Sequence, residues 1–396
     1  MITSAQRIRA YRGPALLSYG FRPFFLGGAI WSAVAVGLWL PMLAGSLALP
    51  TAFSPLEWHI HELLYGFLPA IVAGFLLTAV PNWTGRLPVT GRPLLILFLI
   101  WVSGRVAILT SALTGLWFAA IVDLAFLAAM IVVIARELIA GRNVKNARVL
   151  LLVGVLFVGN VIFQLEAGLG FREGYGTRTG IAAAVLLIIL IGGRIIPSFT
   201  RNWLAKRVPG RLPISFGGFD VFAIVAGAIA LASWVAAPDS TGTAGLLAIA
   251  GVVHTIRAAR WAGERTAPEL LVLVLHAGYA FVPVGFFLVA LAIAGPDIVP
   301  PSGALHAWTV GAIGLMTLGV MTRASLGHTG RPVTATRPIA LIYAAVLAAA
   351  IARIVAAFEI ARTPMLQTSA IAWVIAFGGF AMIYWPVLTG PRTSEA

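Results

Sequence analysis

Residues 58–80, WHIHELLYGFLPAIVAGFLLTAV, hold one carboxylate, Glu62, in an otherwise strongly apolar run. At about 1.5 Å rise per residue a helix of this length covers roughly 35 Å, enough to cross about 30 Å of bilayer hydrocarbon. Similar runs recur at approximately 24–43, 93–112, 115–138, 147–168, 180–198, 219–237, 242–260, 268–294, 302–324, 338–358 and 366–389, with edges good to about 2–4 residues. With 58–80 they make about twelve transmembrane helices. The short connections carry Pro41, Pro50, Pro209, Gly210, Pro300 and Pro301, as turns between antiparallel neighbours require.

Composition points the same way. Of 396 residues 60% are hydrophobic and 10% charged, with a mean hydropathy of +0.98, against roughly 25% charge in a soluble domain. The expected fold class is therefore an all-α polytopic membrane protein, with 1–396 as a single transmembrane domain.

A net charge of +14 would suggest nucleic acid in a soluble protein, but here the placement of the charges decides their meaning. Arginine and lysine cluster at alternate ends of the runs: Arg7, Arg9 and Arg12; Arg86 and Arg92; Arg136, Arg142, Lys145 and Arg148; Arg201, Lys206, Arg207 and Arg211; Arg257, Arg260 and Arg265; Arg323, Arg331 and Arg337; Arg392. The opposite ends hold little besides Arg172, Arg178 and Arg362. By the positive-inside rule the basic ends are cytoplasmic, so both termini are expected inside. The localisation expected is a bacterial inner membrane, with membrane lipid as a partner and no nucleic acid. The first twenty residues, MITSAQRIRAYRGPALLSYG, lack the short apolar core and small-residue site of a cleaved signal peptide. The absence of cysteine excludes disulfides, iron–sulfur clusters and thiolate-ligated metal.

An internal echo organises the runs. Thr84-Gly85-Arg86-Leu87-Pro88-Val89-Thr90-Gly91-Arg92-Pro93 follows the second run, and Thr329-Gly330-Arg331-Pro332-Val333-Thr334-Ala335-Thr336-Arg337-Pro338 follows the tenth. The end of the sixth, Pro197-Ser198-Phe199-Thr200-Arg201-Asn202-Trp203, echoes both more weakly. Runs two, six and ten lie four apart, which predicts three tandem four-helix units of like orientation, roughly 15–140, 141–262 and 263–390. A membrane turn that simply collects Thr, Gly, Arg and Pro is the plainer alternative.

Six histidines carry the chemistry. An ionisable side chain within a span is costly and so a candidate functional group, though a lone histidine is often an interhelical hydrogen bond. The second run opens with His59, His61 and Glu62 and the tenth with His306, placing three imidazoles near the periplasmic face. Facing helices can present axial imidazoles to a haem iron. His59 and His61, two apart, project about 200° from one another and cannot serve one face. Either the pair serves two cofactors, or one ligates while the other orients a propionate or a neighbour, or both cap a wet helix end. Glu62 is a candidate for fixing an imidazole tautomer or for carrying a proton, a catalytic role. His254 and His276 fall near mid-membrane on sequential runs, and with His328 they are candidates for a copper or non-haem iron site. Separate packing histidines are the alternative.

Arg105 and Asp123 sit near one depth, so an ion pair is expected. Arg105, Arg194 and Arg353 are also candidates to neutralise haem propionates, in competition with native carboxylates such as Asp123 or Glu359. Trp31, Trp39, Trp101, Trp117 and Trp385 read as interface or packing residues.

Several segments together resemble the NnrS family: Gly20-Phe21-Arg22-Pro23-Phe24-Phe25, Trp58-His59-Ile60-His61-Glu62, Thr78-Ala79-Val80-Pro81-Asn82-Trp83-Thr84-Gly85, Gly192-Gly193-Arg194-Ile195-Ile196-Pro197, and Leu305-His306-Ala307 running to Met321-Thr322-Arg323 and Gly327-His328-Thr329-Gly330-Arg331-Pro332. The likeness covers nearly the whole chain. It implies a haem- and copper-containing membrane protein of nitric oxide metabolism and nitrosative-stress defence. The family's histidine motifs fall on His59, His61, His306 and His328, with His276 in the matching ninth segment and no counterpart for His254. The architecture is also similar to the main subunits of haem–copper oxidases and nitric oxide reductases, with one departure: no histidine stands on runs six and seven.

The resulting expectation is a b-type haem protein, with one or two haems and a place for copper, that binds nitric oxide or reduces it with electrons from quinol or another donor. His306 and one of His59 or His61 are expected to ligate haem. A multipass transporter or sensor that passes protons or metal along its histidines is the competing class.

Overall fold

The structure, a computed structural model, describes residues 11–171, 173–207 and 209–393. Arg7, Arg9, Arg172 and the first ten residues, used in the charge and signal arguments above, lie outside the described residues. Among the described residues, twelve helices are long and apolar enough to cross a membrane: α1 (Phe21–Leu43), α2 (Pro55–Thr84), α3 (Arg92–Leu109), α4 (Leu116–Ala140), α5 (Val144–Leu169), α6 (Tyr175–Leu204), α7 (Gly218–Ala236), α8 (Thr241–Ala259), α9 (Leu270–Ala294), α10 (Pro301–His328), α11 (Arg337–Ala357) and α12 (Arg362–Thr389). Every expected run is present, and the chain is a multi-pass, all-α membrane protein.

Helices α2, α6 and α10 share a device that composition does not reveal. Each contains a π-helical stretch, Glu62–Phe67, Ile188–Gly192 and Ala307–Gly314 respectively. A π turn displaces the hydrogen-bond ladder and leaves carbonyls in need of donors, which within a bilayer must come from side chains. Trp101 Nε1 donates to the Gly66 carbonyl at 2.9 Å, and Arg257 Nη1 to that of Ile189 at 2.9 Å. The same three helices carry the sequence echo. Thr84, Thr200 and Thr329 each donate a hydroxyl hydrogen bond to the carbonyl four residues back, at 2.8, 2.9 and 2.6 Å. Gly85 and Gly330 follow in left-handed conformation at φ +69° and +74°, the geometry that ends a helix most cheaply with glycine. The middle copy has Arg201 in that place and continues helically.

By proximity the chain forms two compact units: the described residues of Met1–Gly180, Ala324–Pro332 and Phe377–Ala396, and those of Ile181–Arg323 with Val333–Ala376. The boundaries fall within α6, α10 and α12 and in the segment between α10 and α11. In the first unit α1 packs on α2, α3 on α4, and α4 on α2 and α5. In the second α8 packs on α7 and α9, and α10 on α9 and α11.

In the first unit, the start of α6 lies close against α5. A Cβ at Gly176 would stand 2.5 Å from the backbone of Phe163, and one at Gly180 would strike Tyr65. Gly176 and Gly180 form a small-xxx-small pair, which lets two backbones approach. Tyr65 closes the contact by donating to the Gly176 carbonyl at 2.6 Å. Gly176→Leu is expected to lower stability by roughly 1–3 kcal/mol, the range for overpacking, measured by unfolding in detergent micelles; unchanged stability would show that this contact tolerates separation.

Candidate functional site

Helix α2 begins where Ser54 and Glu57 form a capping box, so Trp58, His59 and His61 enter on a fixed first turns' geometry. His61 and Glu62 are both fully buried. Around them the first unit builds a closed ionic network. His61 Nδ1 lies 2.8 Å from Glu62 Oε1, and Nε2 lies 3.2 Å from Asp123 Oδ2. Arg105 on α3 donates from Nη1 to Glu62 Oε2 at 2.8 Å and from Nη2 to Asp123 Oδ1. Asn160 and Gln164, one turn apart on α5, add donors to Asp123 at 2.8 and 3.4 Å. Trp31 on α1 donates to Glu62 Oε2 at 2.7 Å.

Arg105 and the His61 imidazole thus face two carboxylates in a water-poor interior, where a charge left unpaired would be costly. Carboxylate oxygens flank both ring nitrogens of His61, and the Gln164 amide nitrogen lies 3.0 Å from Nε2, so both ring nitrogens are taken up by native neighbours. The ion pair expected between Arg105 and Asp123 is present. It also takes up Arg105: its guanidinium bridges two native carboxylates instead of standing ready for a propionate. Glu62 accepts from Trp31 and Arg105 and faces His61, the geometry of an anchor within the network. Gly66 gives Arg105 its room, since a Cβ there would strike the guanidinium.

His59 points elsewhere. It is half-buried and stacks on Trp39, with ring centroids 4.0 Å apart and planes at 21°. The opposed directions of His59 and His61 follow from their spacing on a helix. Three tryptophans expected only to pack therefore touch the site: Trp31 bonds Glu62, Trp39 stacks on His59, and Trp101 satisfies the π turn.

In the second unit, His306 sits on the first turns of α10, half-buried, with Nδ1 2.5 Å from the carbonyl oxygen of Ser302. A carbonyl can only accept, so Nδ1 carries the proton and the ring's lone pair lies on Nε2. The π stretch begins at the next residue. Helix α10 meets α11 here through Gly303, whose Cβ would stand 3.0 Å from that of Ala357. Arg353 lies one turn before Ala357 and is half-buried. Glu359, expected to compete for it, pairs with Arg362 at 3.3 Å. Arg194 is exposed on α6.

The remaining histidines stand in separate surroundings. His254 is fully buried, 2.9 Å from the Tyr279 hydroxyl through Nδ1 and stacked on Phe286. His276 lies 2.8 Å from the Thr200 hydroxyl through Nε2. His328 belongs to the first unit, with Tyr19 and Phe21 against its ring at 5.5 and 5.8 Å. Among the described residues no three of His, Asp or Glu converge as a metal site. His254 and His276, both in the second unit, are each packed against their own aromatic or hydroxyl neighbour.

Two further corrections concern residues read as something else. Arg257, grouped above with the basic ends of the runs, is wholly buried and bonds Asp220 at 3.0 Å. Asn160 and Gln164 drew no attention in the sequence, although two carboxamides one turn apart in an apolar helix mark a polar face.

A family model described as NnrS protein matches residues 15–392. No curated protein matches the chain.

Proposed function

Because the chain belongs to the NnrS family, which is associated with the nitric oxide response, we propose that it is a b-type haem protein of a bacterial inner membrane that binds nitric oxide, with His306 as an axial ligand. The observation that carries this is the contact of His306 Nδ1 with the Ser302 carbonyl. Its Nδ1–H is held by the Ser302 carbonyl, the arrangement by which metal-binding histidines are commonly oriented with Nε2 toward the metal. Both ring nitrogens of His61 are engaged by Glu62, Asp123 and Gln164, and His59 is the remaining candidate at the head of α2. Arg353, half-buried on the helix that packs against the His306 turn, is the guanidinium to hold a propionate. When bound, ferrous haem supplies the iron that takes nitric oxide. The residues of this chain position it, neutralise its carboxylates and exclude water. Copper finds no comparable donor set among the described residues, and no step is assigned to it.

The arginine-rich ends place both termini in the cytoplasm by the positive-inside rule. The transporter reading draws less support, because the buried charges of α2, α3 and α4 are paired with one another and not arrayed along a path.

The test is the visible spectrum of purified protein. Wild type is expected to show a Soret band with α and β bands on reduction, and a shift on anaerobic addition of nitric oxide. His306→Ala is expected to lose that spectrum while remaining monodisperse. Colourless, haem-free wild type would overturn the proposal, and an unaltered spectrum in His306→Ala would reject this ligand.

A further inference from the structure

In the first unit, the segment Thr84–Pro93 does not simply turn the chain. It walls a cavity of about 760 Å³ at the arginine-rich end of α2, lined by Thr84, Arg86, Leu87, Thr90, Arg136 and Glu137 among others. That volume lies in the range of small-molecule sites, roughly 300–1,000 Å³. Glu137, whose side chain is 10% exposed, gathers both guanidiniums: Arg86 Nε at 2.5 Å and Arg136 Nη2 at 2.9 Å. One carboxylate against two guanidiniums leaves the cavity with one net positive charge. Thr90 adds a hydroxyl, and Leu87 and Val89 an apolar wall.

The flanking helices present a different surface immediately outside. Leu95 and Ile96, just beyond Pro93 on α3, and Val132 and Ile139, either side of Arg136 on α4, are 37%, 57%, 67% and 76% exposed. Apolar residues turned outward from a membrane helix meet acyl chains. A ligand that fills both environments has a phosphate for the guanidiniums and a hydrocarbon tail for the surface beside them. Basic pockets on the cytoplasmic side of membrane proteins recognise anionic head groups on this basis. The geometry points to a binding site for the phosphate head group of an anionic phospholipid, built from Arg86, Arg136 and Thr90. Arginine suits the task because its planar fork matches phosphate oxygens two at a time. The site is independent of haem.

Phosphatidylglycerol titrated into delipidated protein in detergent, with bound lipid counted by native mass spectrometry, tests the site. Binding is expected to exceed that of phosphatidylcholine. It should weaken roughly fivefold in Arg86→Gln or Arg136→Gln and about thirtyfold in the double variant. Lys145→Gln/Arg148→Gln, which removes two exposed charges outside the cavity lining, should leave it unchanged. The single variants carry the comparison if the double variant does not fold. The proposal is overturned by wild-type affinity in the cavity variants, or by equal weakening in the control. It is overturned as a lipid site if inorganic phosphate alone binds with the same arginine dependence and displaces the lipid.

Discussion

Arg105→Met is expected to lower stability by roughly 3–5 kcal/mol, the range for removing one partner of a buried ion pair. The reason is geometric. The Arg105 guanidinium bonds both Glu62 and Asp123, so its loss leaves two carboxylates, 0% and 1% exposed at their side chains, with only the His61 imidazole and neutral donors beside them. Methionine keeps much of the aliphatic volume, so the cost measured is chiefly electrostatic. The check is a comparison of unfolding in micelles for Arg105→Met and for Arg105→Met with Glu62→Gln. The second change removes one negative charge and is expected to recover at least half of the loss. No recovery would show that packing and not charge balance dominates at this position.

How much of this was open to a reader of the sequence depends on what signal each feature leaves. Span number and approximate edges follow from hydropathy, and all twelve are present. Helix α2 exceeds its expected run because Pro55 to Glu57 continue it outward from a Ser54–Glu57 capping box that hydropathy cannot register. The π stretches are invisible for a deeper reason. A shift of hydrogen-bond register changes no residue type, and only the donors that satisfy it, Trp101 and Arg257, betray it. The pairing of Arg105 with Asp123 was legible from depth along antiparallel helices. Its extension to Glu62 was not, because Glu62 read as a group at a wet helix end, whereas α1 and α3 close over it. The direction of each imidazole was half legible. Spacing separated His59 from His61, but which ring met carboxylates depended on the rotation of α2 about its axis. The Gly176 and Gly180 pair did stand in the sequence as a small-xxx-small motif that signals close helix approach.

Arg257 supports the largest expected effect in the second unit. Its Nε donates to Asp220 Oδ1 at 3.0 Å, and its Nη1 to the Ile189 carbonyl at 2.9 Å and the Tyr279 hydroxyl at 3.1 Å. One side chain thus balances a buried carboxylate, satisfies a carbonyl of the π stretch in α6 and orients the tyrosine that faces His254. Arg257→Met removes all three functions and should cost roughly 3–5 kcal/mol. Arg257→Lys should recover only part of that, because a single ammonium cannot span acceptors that a planar fork reaches together. Arg257→Met with Asp220→Asn separates the contributions. It removes the stranded charge but leaves the Ile189 carbonyl without its donor, so a residual deficit of about 1–3 kcal/mol is expected, the cost of an unsatisfied buried polar group. Unfolding in micelles reads all three variants. Full recovery in the double variant would mean that the π stretch does not need its side-chain donor, and equal stability of Arg257→Lys and wild type would mean that charge alone suffices.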